Sequence, residues 1–240
     1  MWLLALVALV VAAGGLVQSV TGFGFALLVM PVLAVAMGPK TAVVVMTAAS
    51  VPLSFLNAVR WRADIRTREA VTVTVAAIVG MPLGAIALTR ADDRVLTLLI
   101  GLAVLAMTAW LWRGLRLPTG RATELTAGVV SGALSTSVGT SGPPLVIAFQ
   151  ATGMDPLPFR ATLAVVFAVE SLLALATFWV TGHLTAEAGP AALVGWPAVT
   201  AGALAGDRLF AGMDRGRFRA AVLAMLALSG VLAVVGAFAG

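Results

Sequence analysis

Apolar residues fill long stretches of this chain, near positions 41–59, 70–89 and 94–112, and again near 160–182, 187–205 and 218–238. Each run is roughly 17–25 residues, the length a helix needs to cross the hydrocarbon of a bilayer. The runs are continuous rather than alternating apolar with polar, which excludes a membrane β-barrel. Two further stretches, about 2–38 and 123–153, are apolar but broken by glycines and hydroxyls. The first break reads Gly14-Gly15-Leu16-Val17-Gln18-Ser19-Val20-Thr21-Gly22-Phe23-Gly24. The second reads Ser131-Gly132-Ala133-Leu134-Ser135-Thr136-Ser137-Val138-Gly139-Thr140-Ser141-Gly142-Pro143-Pro144. A shift of 117 residues carries Gly15 onto Gly132 and Gly22 onto Gly139. Hydrocarbon tolerates irregular backbone only where protein or a wet cavity covers it. Paired breaks in matching places are therefore a pointer to a transporter's binding site.

The same order of runs in both parts predicts a membrane repeat over 1–112, a linker over 113–122 and a second repeat over 123–240. The third segment of each repeat, counting the broken stretch as the first, carries a small-xxx-small pair, Gly80/Gly84 and Gly202/Gly206, which lets helix backbones approach closely. Composition agrees with a polytopic helical membrane protein: 61% apolar and only 10% charged residues. A net charge of +5 would suggest nucleic acid in a soluble protein. Here the arginines lie in loops between spans, so they report topology instead and no nucleic acid is expected.

If the second broken stretch crossed the membrane once, basic residues would divide evenly between the two sides. If it enters and returns, Arg60, Arg62, Arg66, Arg68, Arg113, Arg116, Arg121, Arg160, Arg208, Arg215, Arg217 and Arg219 share one side, against Lys40, Arg90 and Arg94. That strong bias favours the hairpin and puts the loops at 60–69, 113–122, 154–160 and 207–219 in the cytoplasm. Extended to the first break by the internal repeat, each half reverses sides an odd number of times. The expected fold class is an all-α polytopic membrane protein of two similar, inverted-topology halves, each a broken or re-entrant first segment plus three spanning helices. Both termini would be non-cytoplasmic, and the N-terminus lacks a basic signal-peptide region.

The breaks carry the chemistry. Pro143 and Pro144 belong in a first helical turn, so a half-helix is expected to open there. A helix N-terminus offers free N–H groups and about half a positive charge, a ready anion site. Gln18, Ser19, Thr21, Gly22 and Gly24, facing Ser135, Ser137, Gly139, Thr140, Ser141, Gly142 and Gln150, are the expected substrate-binding set. The amides after Gly142 would donate as well, and no Arg or Lys lies within either break. The plainer alternative is that these small residues only pack helices. Glu170 is the one acidic residue deep in an expected span, and Leu53 is its repeat equivalent. Such a carboxyl either couples proton movement to transport or sits as a neutral acid in a serine network. Asn57, together with Gln18 and Gln150, serves equally as interhelical glue or cavity lining.

Pro39 and Asp155-Pro156 follow the two broken stretches as turn or cap signals. Trp61, Trp110, Trp112 and Trp179 near span ends fit interfacial anchoring. A single His183 and no cysteine leave no metal site and no cofactor to expect. Gly139-Thr140-Ser141-Gly142 matches the Gly-x-Ser-Gly of rhomboid-type intramembrane proteases, which need a histidine within reach of the serine. His183 falls in a loop far in depth from Ser141, so a protease is a remote alternative and no enzyme is expected.

With its two breaks, its Gly-x-x-x-Gly pairs and their following loops at Arg90 to Arg94 and Asp214 to Arg219, the chain resembles the TauE/SafE family over nearly its whole length. The resemblance implies a bacterial inner-membrane permease exporting small sulfur-containing anions such as sulfite, thiosulfate or a sulfonate. Its partners would be that anion and the lipid bilayer, with a homodimer as an open assembly. A passive anion channel is the runner-up from another class.

Overall fold

The computed structural model describes residues 2–113, 118–184, 188–209, 224, 227–228 and 230–238. The described residues are helical throughout and contain no strand. In chain order the helices are α1 (Trp2–Thr21), α2 (Phe25–Met37), α3 (Pro39–Arg60), α4 (Thr67–Arg90), α5 (Asp93–Arg113), α6 (Arg121–Val138), α7 (Gly142–Ala151), α8 (Pro156–Val180) and α9 (Ala188–Leu209). A short 3-10 turn, Arg62–Asp64, joins α3 to α4. Five of these helices, α1, α3, α4, α5 and α8, are long and apolar enough to cross a membrane. The chain is thus a polytopic helical membrane protein. Of the expected span 218–238, residues 230–238 form a helix that lies against α5, with Arg94 stacked 4.9 Å over the Phe238 ring. Arg116, Arg215, Arg217 and Arg219, counted in the charge bias, lie outside the described residues.

Sequence explains where the helices start and stop. Gly38, with φ 82°, separates α2 from α3, and Pro39 opens α3, where its missing N–H costs nothing. Pro156 opens α8 in the same way behind Asp155. α1 and α2 fold back on one another, so Gly14 faces Phe25 and Val29 across the hairpin. α6 and α7 do likewise, and the Ser131 hydroxyl reaches the Ser141 carbonyl at 3.0 Å. Both broken stretches are therefore helix–break–helix hairpins.

Close backbone contacts tie α6 to α4 and α1 to α9. A Cβ on Gly80 or Gly84 in α4 would run into the α6 carbonyls of Val129 and Ala133, and one on Gly132 would strike Ala77. In α9, Gly202 and Gly206 abut the α1 backbone at Ala12 and Leu16, while Gly15 abuts Val199. The glycines at these crossings are what lets the helix pairs touch. The two crossings repeat one another residue by residue, with α1 and α6 related by the shift of 117 and α4 and α9 by one of 122, which carries Gly80 onto Gly202. The small-residue pairs of the sequence thus mark contacts between the halves.

α3 and α8 form the central pair and run antiparallel. Arg160, in the first turn of α8, stacks 4.5 Å over Trp61 at the end of α3. Ser50 and Ser171 meet midway at 3.4 Å. The Arg66 amide donates to Thr162 at 3.0 Å, and Arg60 pairs with Asp207 of α9 at 2.8 Å. The loop at 60–69, the start of α8 and the end of α9 therefore gather at one end of the bundle. Trp196 locks α9 onto α3 by donating its indole N–H to the Ala48 carbonyl at 3.0 Å.

Candidate functional site

The first break lies at Gly22-Phe23-Gly24, where both glycines take positive φ, 80° and 99°. A side chain would strain either position. The Thr21 hydroxyl shapes the turn, donating to the Val17 carbonyl at 2.9 Å and accepting from the Phe23 N–H at 3.2 Å. At the second break Gly139, φ 69°, ends α6 in a left-handed cap whose N–H returns to the Leu134 carbonyl. Ser141 then caps α7, and Gly142, Pro143 and Pro144 form its first turn.

The starts of α2 and α7 open onto one small cavity of about 50 Å³. It has room for a few waters or one small oxyanion. The first hairpin lines it with Gln18 and residues 23–27, and the second with Ser135, Gly139, Thr140, Ser141, Gly142 and Pro143. α3 contributes Met46, Thr47, Ser50 and Ser54, and α8 contributes Phe167 and Ser171. No ionised side chain is in this lining. The two helix N-termini bring about half a positive charge each. The amides of Phe25, Ala26 and Gly142 lie in first turns, where an N–H has no acceptor within its own helix. The expectation of donors after Gly142 is corrected at Pro143 and Pro144, which have no N–H to give.

The hydroxyls divide into two groups. Thr140 is fully buried and its Oγ1 has no protein partner among the described residues. A buried polar atom normally finds a hydrogen bond, and Thr140 lies in the lining of the cavity. Ser135 and Gln18 also face the cavity and are buried from bulk solvent. Other hydroxyls from the expected set are spent on the backbone. Ser19 donates to the Leu16 carbonyl at 2.9 Å, and Ser137 to the Ala133 carbonyl at 2.6 Å. Ser19, Thr21, Gly22 and Ser137 shape the hairpins but do not line the cavity, and Gln150 is exposed near the far end of α7. The structure thus brings together Gln18, Gly24, Ser135, Gly139, Thr140, Ser141 and Gly142 of that set.

Sequence reasoning missed Thr47, Ser50, Ser54 and Ser171. The first three recur at intervals of three and four along α3, one polar stripe on an apolar helix. That periodicity was the available signal. Arg160 was missed too, because it is near the first break only in space. Its guanidinium donates to the Ser19 carbonyl, and its Cγ lies against Gly22. It does not line the cavity. A cation at the carbonyl end of α1 complements that helix's dipole. Replacing Arg160 with Met should lower thermal stability by about 1–2 kcal/mol, with Arg160→Lys in between. Equal melting of wild type and Arg160→Met in detergent would remove the capping role.

Glu170 sits one layer behind the cavity, 1% exposed. The Ser131 hydroxyl lies 3.0 and 3.1 Å from its two carboxyl oxygens, and the Ser141 hydroxyl is a further partner. Ser131 is thus Glu170's hydrogen-bonded neighbour. His183 lies beyond the end of α8, bonded to Thr181 at 3.0 Å. Ten residues of helix, about 15 Å, separate Val180 from Glu170, so His183 is out of reach of Ser141. Among the described residues no cluster of His, Cys, Asp or Glu is placed to hold a metal ion.

Comparison with known proteins gives the same picture from another side. The family described as "Sulfite exporter TauE/SafE" matches residues 6–233, taking in both hairpins, the cavity and Glu170. A protein of Cupriavidus necator named "Probable sulfite/organosulfonate exporter TauE" is 32% identical over 209 residues, 82% of this chain and 80% of its own length. No solved structure matches the chain. With two broken-helix hairpins, a small polar cavity between them and a match along almost its entire length, this chain belongs to the sulfite exporter TauE/SafE family.

Proposed function

We propose that the protein exports a small sulfur oxyanion, such as sulfite, thiosulfate or a sulfonate, held in the cavity between the two breaks. The family consists of transporters, so the protein is a membrane transporter and not an enzyme. The observation that carries the proposal is the cavity's lining: two half-helix N-termini, the unpartnered Thr140 hydroxyl and no ionised group. Dipoles and hydrogen bonds select an oxyanion without binding it too tightly for release.

Alternating access would follow from an inverted repeat spanning 1–112 and 123–240. Inversion is supported by the antiparallel run of α3 and α8, which the 117-residue shift makes equivalent, and by the matched glycine crossings. The gathering of Trp61, Arg160 and Asp207 at one end supports the side assigned to the cytoplasm, in a bacterial inner membrane. Glu170 carries the coupled proton in this reading. An ionised carboxyl behind Ser141 repels the anion, so anion binding favours the protonated acid.

Proteoliposomes should take up sulfite, thiosulfate and methanesulfonate saturably, with chloride and sulfate as weaker competitors. Glu170→Gln should abolish the dependence of uptake on a pH gradient. Conductance without saturation would favour a passive channel, and failure to move any of these anions would overturn the proposal.

A further inference from the structure

Three acceptors surround the single hydroxyl proton of Ser131: both oxygens of Glu170, at 3.0 and 3.1 Å, and the Ser141 carbonyl, at 3.0 Å. One proton cannot serve them all. When Glu170 is ionised, Ser131 is held by the carboxylate, because a hydrogen bond to a charged acceptor is roughly twice as strong as one to a neutral carbonyl. When Glu170 is protonated, one carboxyl oxygen becomes the donor to Ser131 Oγ while the other still accepts from the Ser141 hydroxyl, so only the Ser131 bond reverses. The Ser131 proton is then free to turn to the Ser141 carbonyl. That carbonyl belongs to the N-cap of α7, the half-helix facing the cavity.

We propose that Ser131 is the positioning residue that passes the protonation state of Glu170 to the start of α7, and so to the anion site. The proposal rests on the reading of Glu170 as the proton carrier. Ser131 is fully buried, as is Glu170, so no solvent competes for these bonds. The other charged side chains on elements packed against α8 lie towards element ends: Lys40 and Arg60 on α3, Arg68, Glu69 and Arg90 on α4, Arg121 and Glu124 on α6. Arg62 and Asp64 belong to the 3-10 turn, Arg160 to the first turn of α8, and α7 carries none. The side chains that bond to Glu170 are Ser131 and Ser141. The equivalent positions in the first half are Gly14 and Leu53, so the relay exists on one side only.

The test needs no ligand. Hydrogen–deuterium exchange of the segment 139–151, in detergent and corrected for intrinsic exchange, is followed from mildly alkaline to mildly acid pH. The wild type should gain protection of about fivefold on acidification, the shift that one net hydrogen bond gives. Ser131→Ala should lose that step, and Ser131→Thr should restore it. Should Ser131→Ala not fold, Ser131→Cys, a weak donor, should lose it equally. In infrared spectra the protonated-carboxyl stretch that vanishes in Glu170→Gln should move to higher frequency in Ser131→Ala, as its hydrogen bond is lost. A wild-type step that persists in Ser131→Ala, or no step in the wild type, overturns the relay. The proton-carrier reading is judged separately, by whether Glu170→Gln abolishes proton flux driven by methanesulfonate. A pH step retained in Glu170→Gln overturns the relay, whatever the flux shows.

Discussion

Gly132→Ala should leave little folded protein. A Cβ at that position would overlap the Ala77 carbonyl of α4, and a carbonyl locked in a helix cannot step aside as a side chain can. α4 and α6 would have to move apart along a seam where Gly80, Gly84, Gly128 and Gly132 all meet opposing backbone or tightly packed atoms. Overpacking typically costs about 1–3 kcal/mol, and loss of the whole seam adds to it. The control is Gly189→Ala near the start of α9, where a Cβ meets nothing within 4 Å. That change should be neutral or gain a few tenths of a kcal/mol from helix propensity. Thermal melting and size-exclusion profiles in detergent distinguish the two. Gly132→Ala melting with the wild type would mean that the seam is slack. Gly202→Ala, the counterpart on the α1–α9 seam, should fail in the same way against the Ala12 carbonyl.

Thr140→Val should weaken anion binding tenfold or more while leaving the fold intact. The side chains are nearly the same size, so packing around this fully buried residue is kept. What is lost is a hydroxyl with no partner among the described residues, on a residue that lines the cavity. A hydrogen bond to a charged group is worth about 1.5–3 kcal/mol, or roughly ten- to more than a hundredfold in affinity. Ser19→Ala and Ser137→Ala serve as controls, because those hydroxyls are already bonded to Leu16 and Ala133. Isothermal titration with sulfite and methanesulfonate checks the set. Equal losses for all three variants would mean that the hydroxyls act through packing alone.

The contrast between Thr140 and Ser137 marks where sequence stopped being informative. The long apolar runs, the break positions and the opening of α7 at Pro143 and Pro144 were readable, because each follows from local backbone chemistry. The glycine pairs were readable as close contacts, though not as contacts between the halves. Which hydroxyls line the cavity was not readable. A serine or threonine in a membrane helix can turn back to a carbonyl three or four residues earlier or face a neighbour, and spacing alone does not decide between them. Arg160 and Ser131 were not singled out for a related reason. Their partners, Ser19 and Glu170, are distant in sequence and are brought close only by packing.

Because α1 rests on α9 while α6 rests on α4, neither half of the protein can complete its own interior. During synthesis α1 waits in the bilayer, with its glycine face unpartnered, until α9 has been made. Two fragments divided between α5 and α6 should therefore be unstable apart. Expressed together, they would supply each other's missing seams and reassemble.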